Sequence, residues 1–251
     1  MLFGDYHTHT KYSRMNHGKG SVDENVRAAL ASGLKEIALT DHGLRHMTYG
    51  MKKKIFPRFL ADVAEARNKY PEIGIYAGLE ANFISPKGII DIDDGVAEKL
   101  DVLVCGYHKI VRPIGLGGAS FLLRNLLTKN SKKALVKNTD AYLYAIENYE
   151  IDILSHPNSG CRIDLAAVGA LAAEYGTYLE LNGKRVTMTA GELEMLASLG
   201  CAFVMDSDAH SPERVGDVSI QLAAWKESGL PMSLIHNWDR LPDFRSGKVK
   251  R

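Results

Sequence analysis

The stretch "GDYHTHTKYS", residues 4–13, sets two histidines one residue apart behind a hydrophobic start. Residues i and i+2 of an extended strand share a face, so His7 and His9 present two imidazoles side by side. A half-exposed strand end could carry such residues for their polarity alone. The sharper alternative is a pair of metal ligands, since imidazole binds zinc, manganese and iron. Whether the arrangement recurs along the chain decides between them.

It recurs. Near-continuous apolar runs at 2–8, 36–41, 73–80, 101–107, 151–155, 177–182 and 201–206 are rich in Ile, Val, Leu and Tyr. They read as strands buried on both faces, as in a parallel sheet. Helix-like segments lie between them. Residues 21–33 open on Ser21 with Glu24 three places on and close at Gly33, which is a capping box with a glycine stop. Residues 57–70, 164–175, 190–199 and 212–229 follow the same logic. Strand then helix, seven times over, is a parallel α/β protein. No linker or low-complexity tract interrupts residues 1–251, so a single domain is expected.

The C-terminal end of each strand carries chemistry. The first ends in His7 and His9, the second in "TDH" with His42, and the third in "GLEANF" with Glu80. The fourth ends in "GYH" with His108, and the fifth in "SHP" with His156. The seventh ends in "DSDAH", giving Asp208 and His210 at the spacing of the opening pair. The sixth, "ELN", offers no obvious ligand. In a parallel barrel the βα loops all emerge at this face, and active sites gather there. Of nine histidines, six fall at these ends, and His17 lies in the first loop. Independent placement on helices and loops would not produce that. Nine donors exceed the three or four protein ligands of one zinc ion and fit two or three ions sharing a carboxylate. Such clusters polarise phosphoryl oxygens and generate hydroxide at neutral pH, so phosphate-ester hydrolysis is the expected chemistry.

Composition narrows the setting. Apolar residues make up 45% of 251, enough for a sizeable core, and the net charge of +1 gives no global field for polyanions. Cys105, Cys161 and Cys201 are odd in number and far apart, which favours a reducing, cytoplasmic setting. Neither a signal peptide nor a membrane-spanning run is visible, so no membrane association is expected.

The motifs "DYHTHT", "ALTDHG", "GLEANF", "CGYHK", "LSHPNSG" and "DSDAHS" resemble, in order, those of the polymerase and histidinol phosphatase (PHP) superfamily. They cover residues 5 to about 212, and the tail "HNWDRLPDF" is similar to the end of its small stand-alone phosphoesterases. The resemblance implies a distorted, TIM-like (β/α)7 barrel with its active site at the C-terminal strand ends. It also implies three divalent ions of zinc, manganese or iron. His7, His9, Glu80 and Asp208 would hold the first ion. Glu80 would bridge to a second held by His108 and His156, and His17, His42 and His210 would hold the third. Asp206 competes with Asp208, but the Asp-x-His spacing favours Asp208. His46 and His236 match no motif, and His46 reads as a loop residue near the site mouth.

A phosphate ester needs cationic or N–H donors besides the metals. Lys109, Arg162, Lys184 and Arg185 lie on the expected face, with Arg162 and Arg185 preferred for bidentate binding. Residues 102–139 hold no acid but carry Lys109, Arg112, Arg124, Lys129, Lys132, Lys133 and Lys137. This segment reads as a glycine-rich "GLGG" loop leading into a basic amphipathic helix. A lid and a polyanion contact are the alternatives, and Phe121, Leu122, Leu126 and Leu127 offer a homo-oligomer contact. The leading reading is a metal-dependent phosphomonoesterase acting on a small phosphorylated metabolite. Glu80 would bridge the ions, and Asp208, His210 or water would protonate the leaving oxygen. Histidinol phosphate hydrolysis, a PHP-type nuclease or phosphodiesterase, and a non-catalytic metal-stabilised module are the rivals. Nucleic acid is not favoured as a partner.

Overall fold

The computed structural model describes residues 1–128 and 130–244, so Lys129 of the basic segment lies outside the described residues. Seven strands pair in chain order, each parallel to the next. They are β1 (Gly4–Thr8), β2 (Glu36–His42), β3 (Gly74–Asn82), β4 (Val102–Gly106), β5 (Ile153–Leu154), β6 (Tyr178–Asn182) and β7 (Phe203–Asp206). The helices between and after them are α1 (Val22–Ala31), α2 (Phe56–Lys69), α3 (Asp94–Ala97), α4 (Gly115–Leu127), α5 (Lys132–Asn148), α6 (Leu165–Tyr175), α7 (Ala190–Ser198) and α8 (Ser219–Ser228). The end of β1 meets the chain beyond β7 at a Thr8–Ala209 bridge, where His9 N–H donates to the Ala209 carbonyl at 2.8 Å. The sheet therefore curls into a nearly closed (β/α)7 barrel, TIM-like in its parallel strands and outer helices. Helix ends follow local chemistry. Ser21 with Glu24 and Thr189 with Glu192 form capping boxes, and Asp164 caps α6, which stops at left-handed Gly176. Among the described residues no helix is long and apolar enough to cross a membrane.

Inside the barrel, Tyr6, Ala38, Val102, Val104, Ile153, Tyr178 and Val204 form an apolar plug. Strand alternation carries the same inward face up to His42 on β2, Glu80 and Asn82 on β3, and Glu180 and Asn182 on β6. β1 obeys a different rule. Asp5 pairs with Ile37 but Thr8 with Leu39, so β1 spends three steps where β2 spends two. This bulge lets Tyr6 join the plug while His7 and His9 face the same interior a layer higher.

Where β1 and β7 fail to form a backbone ladder, side chains replace it. Asp206 Oδ1 accepts Tyr6 N–H at 2.7 Å, and Asp5 Oδ1 accepts Ser207 N–H at 3.0 Å. Farther down, Asn237 bridges the two strands: its Nδ2 donates to the Gly4 and Met205 carbonyls at 2.9 and 2.7 Å, and its Oδ1 accepts Met205 N–H at 3.0 Å. The tail around Asn237 thus closes the barrel, with Leu2–Trp238 and Phe203–Ile235 bridges on either side.

The structure corrects four expectations. β3 runs two residues past Glu80, which lies within the strand rather than at its end. Residues 212–229 are not one helix. A short turn at Pro212–Arg214 precedes α8, and Gly216, at φ 78°, turns its N–H onto Asp5 Oδ2 at 2.8 Å. The "GLGG" run is no loop: it lies within α4, where a Cβ on Gly118 would stand 2.4 Å from the Ile84 carbonyl oxygen, and Ser131 caps a second helix, α5. Phe121 cannot serve an oligomer contact, because it is fully buried against Tyr107, while Leu126 and Leu127 are exposed.

Asn237 carries the testable consequence. Asn237→Ala strands buried Met205 and Gly4 backbone groups at about 1–3 kcal/mol each. A loss near 3 kcal/mol corresponds to a Tm about 6–12 °C lower for a chain of this size, measured by calorimetry.

Candidate metal centre

The nine residues His7, His9, His17, His42, Glu80, His108, His156, Asp208 and His210 converge at the C-terminal mouth of the barrel, with Glu80 at their centre. Glu80 Oε2 lies 2.9 Å from His42 Nδ1 and 3.4 Å from His7 Nε2. Its Oε1 lies 2.9 Å from His156 Nε2 and 3.5 Å from His108 Nε2. Asp208 Oδ1 lies 3.1 Å from His9 Nε2 and 3.3 Å from His210 Nδ1. His210 Nε2 in turn lies 2.8 Å from His17 Nε2. Three donor triplets are close enough to share one ion each: His7–His9–Glu80, His42–Glu80–His108 and His9–His42–His210. His156 and Asp208, held at Glu80 and His9, extend the first two groups, and His17 extends the third.

Whether these residues fit a cation is decided by where their protons are. His7 Nδ1 donates to Glu180 Oε1 at 2.6 Å. Ser13 Oγ gives its one proton to Asp41 Oδ1 at 2.6 Å, so it accepts from His9 Nδ1 at 3.2 Å. With both Nδ1 protons so placed, the Nε2 lone pairs of His7 and His9 face each other at 3.2 Å beside two carboxylates. His210 Nδ1 likewise donates to the Asp208 carbonyl at 2.9 Å, which leaves its Nε2 as a lone pair. His42 Nδ1 faces Glu80 Oε2 at 2.9 Å, while His42 Nε2 and Nδ1 of His108 and His156 are buried without a hydrogen-bond partner among the described residues. Imidazoles oriented through Nδ1–H with Nε2 aimed inward are the arrangement that divalent metal sites use.

The electrostatics agree. Burial opposes charge on Glu80, yet His108 and His7 hold its carboxyl well below the ordinary range. Asp208 is likewise held low against burial, by His7 and His9. Burial also opposes a charge on His7, but Glu80, Glu180 and Asp208 raise it well above an ordinary imidazole. Burial, then His210 and His42, lower His9 well below, and the same causes bring His17 to about 3. Burial lowers His108 and takes His210 to about 4. Neutral imidazole is the form that binds metal: His9, His17, His108 and His210 are held neutral, whereas His7 and His156, which Glu80 raises against burial, would each give up a proton to an arriving ion. His156 and Asp208 have positive φ, 32° and 50°, a conformation rare outside glycine that aims both at the cluster.

Sequence reading passed over several partners. Glu180, on the strand with no obvious ligand, orients His7 and also accepts His156 N–H at 2.7 Å and Asn182 Nδ2 at 2.9 Å. An acid at an inward position of an otherwise apolar strand was the available signal. Asp41, adjacent to His42, accepts from Thr10 N–H at 2.8 Å, Thr10 Oγ at 2.7 Å and Ser13. Tyr49 stacks on His17 with ring centroids 3.7 Å apart, a contact no local pattern announces. Asp206 serves the β1–β7 seam rather than the cluster.

Of the expected cations, Lys184 reaches the centre, with Nζ 3.2 Å from both Asp208 Oδ1 and His210 Nε2. Lys109, Arg162 and Arg185 are exposed and form no ion pair with Glu80 or Asp208. His46 is buried, its Nδ1 accepting Tyr49 N–H at 3.2 Å and its ring 4.8 Å from that of His42. His236 packs on Tyr178, 5.1 Å between rings, in the closing tail.

Comparison with known proteins identifies the family. The PHP domain family matches residues 5–191. A "probable phosphatase" of Thermoanaerobacter pseudethanolicus is 28% identical over 98% of this chain and 92% of its own. Another from a Shewanella species (strain ANA-3) is 31% identical over 82% of this chain and 75% of its own. The crystal structure of a Lactococcus lactis histidinol phosphate phosphatase, complexed with zinc, L-histidinol and phosphate, superposes with a TM-score of 0.65. The two are 18% identical, and 98% of each chain is covered.

Glu180 separates orientation from ligation. Glu180→Gln keeps the shape but removes the charge facing His7, so retention of divalent metal is expected to fall about 10–100-fold. Metal analysis after dialysis against a weak chelator reads the loss.

Proposed function

The chain belongs to the PHP domain family, and from that premise we propose that it is a metal-dependent phosphomonoesterase of small phosphorylated metabolites, one domain over residues 1–251, working in the cytoplasm. The observation that carries the reading is the cluster of inward Nε2 lone pairs around Glu80 and Asp208. Three divalent ions of zinc, manganese or iron fit it: His7, His9, Glu80 and Asp208 for the first, Glu80, His108 and His156 for the second, and His17, His42 and His210 for the third. When bound, such ions polarise the phosphoryl group and activate water at neutral pH.

The chain's own residues do the positioning. Glu80, central to the donors, would be shared between two of the ions. Glu180 and the Ser13–Asp41 pair hold His7 and His9 in one tautomer. Lys184, half exposed beside Asp208 and His210, supplies a cation for a phosphate oxygen entering from solvent. Asp208 is held ionised and His210 presents a lone pair at Nε2, so water supplies the proton of the leaving oxygen. Buried free Cys105, Cys161 and Cys201 suit a reducing compartment.

Phosphate release from a panel of phosphomonoesters, with manganese-loaded protein against a metal-stripped control, tests the reading. Metal-dependent release from a narrow subset is expected, and release from none overturns it. Glu80→Gln is expected to lose more than about 100-fold in kcat together with metal content, exceeding the loss from an orienting residue. A variant with full metal content and wild-type rate contradicts the bridging role.

A further inference from the structure

A cavity of about 350 Å³ opens beside the metal-binding cluster and is lined by Arg14, Leu44, Arg45, His46, Met47 and Arg112. Three guanidinium groups therefore surround one cavity that no carboxylate lines. None of the three forms an ion pair with a carboxylate among the described residues. Backbone carbonyls hold two of them. Arg14 donates to Gly50 O and, at 3.0 Å, to Met47 O. Arg45 donates to Arg112 O at 2.9 Å and to Pro113 O at 3.2 Å. The nearby Asp91 is occupied elsewhere, accepting Arg45 N–H at 2.8 Å and Asn82 N–H and Nδ2 at 2.6 and 2.7 Å.

His46 joins the two compartments. It lines the cavity, and its ring centroid lies 4.8 Å from that of His42 and 5.4 Å from that of His108. Because its Nδ1 accepts from Tyr49 N–H, the proton of the neutral ring is on Nε2, a further donor. The cavity therefore has cationic and N–H donors, no carboxylate lining it, and a volume in the range of small-molecule sites.

We propose that this arginine-lined cavity binds a second anionic group of the substrate, a carboxylate or a second phosphate, while the scissile phosphate lies at the metal-binding cluster. The inference rests on the phosphatase reading for the position of the first phosphate. It narrows the substrate class to phosphate esters bearing a second anion. Arginine is suited to the task, since its planar fork pairs bidentately with either group.

Three non-hydrolysable probes test it on the manganese-loaded protein by titration calorimetry: butylphosphonate, 4-phosphonobutyrate and propane-1,3-diphosphonate. The neutral tail of the first is the reference. At least one doubly anionic probe is expected to bind about 10-fold tighter, which is about 1.4 kcal/mol. The tighter of the two names the second group as carboxylate or phosphate. In Arg112→Ala, whose exposed side chain holds no other element in place, the ratio is expected to fall to near one. Arg112→Lys should restore part of it, which loss of structure would not. Equal binding of all three probes, no binding of any, or an unchanged ratio in Arg112→Ala overturns the inference. Turnover is read separately. A doubly anionic preference without hydrolysis of any ester refutes the phosphatase reading and leaves the cavity assignment standing.

Discussion

Two imidazole lone pairs pointing at each other across 3.2 Å, beside two carboxylates, are intolerable in a buried site unless positive charge lies among them. Much of the barrel mouth follows from that constraint. Glu180 and Ser13 take the Nδ1 protons and so commit the lone pairs inward. The chain's own supply of charge is a proton drawn onto His7 against the cost of burial. Divalent ions would satisfy the same demand more completely, and would stabilise the fold by whatever they gain over the proton.

Building that site imposes departures from regular structure. The bulge in β1 takes the ladder out of register so that Tyr6 and His7 both face the interior. β1 and β7 share no regular ladder, and Asp5, Asp206 and Asn237 substitute side-chain acceptors and donors for the missing backbone partners. The cost is visible in the buried carboxyls themselves. Burial raises Asp5, and burial together with Asp5 and Glu180 raises Asp206 well above the ordinary range. The seam is thus coupled to the site: Glu180, which orients His7, also repels Asp206.

The alternation of strands and helices and the gathering of histidines at the C-terminal side of the strands were legible in the sequence because each is a local pattern of period or spacing. Helix starts at Ser21 and Asp164 could be read from three or four residues. What resisted was anything set by distant contact. Gly216 breaks the expected 212–229 helix because its N–H is needed by Asp5, over 200 residues away in sequence. The "GLGG" run looks like a loop until Gly118 is seen against the Ile84 carbonyl. Glu180 orients His7 across 173 residues, and its strand announces only that it is buried. Among the cations, Lys184 reaches Asp208 because its loop follows β6, whereas Arg162 and Arg185, alike in sequence, end in solvent.

The barrel mouth also separates charge by depth, and how each sign is anchored explains why the separation survives. The carboxylates of Glu80, Glu180, Asp41 and Asp208 are buried and held by N–H and O–H donors or by imidazole. Such partners fix an acid while leaving oxygens able to attract a cation. Arg14 and Arg45 are fixed in the mirror-image way, by carbonyl oxygens of Gly50, Met47, Arg112 and Pro113. A carboxylate would have anchored either guanidinium more strongly, but would have cancelled its charge. Carbonyls position the fork and leave the positive field in place for an incoming anion. With a net charge of +1 over 251 residues, the chain has little overall field to offer a phosphate ester. Attraction has to come from this local arrangement: acids below that attract cations, and uncancelled guanidinium groups beside them that attract anions.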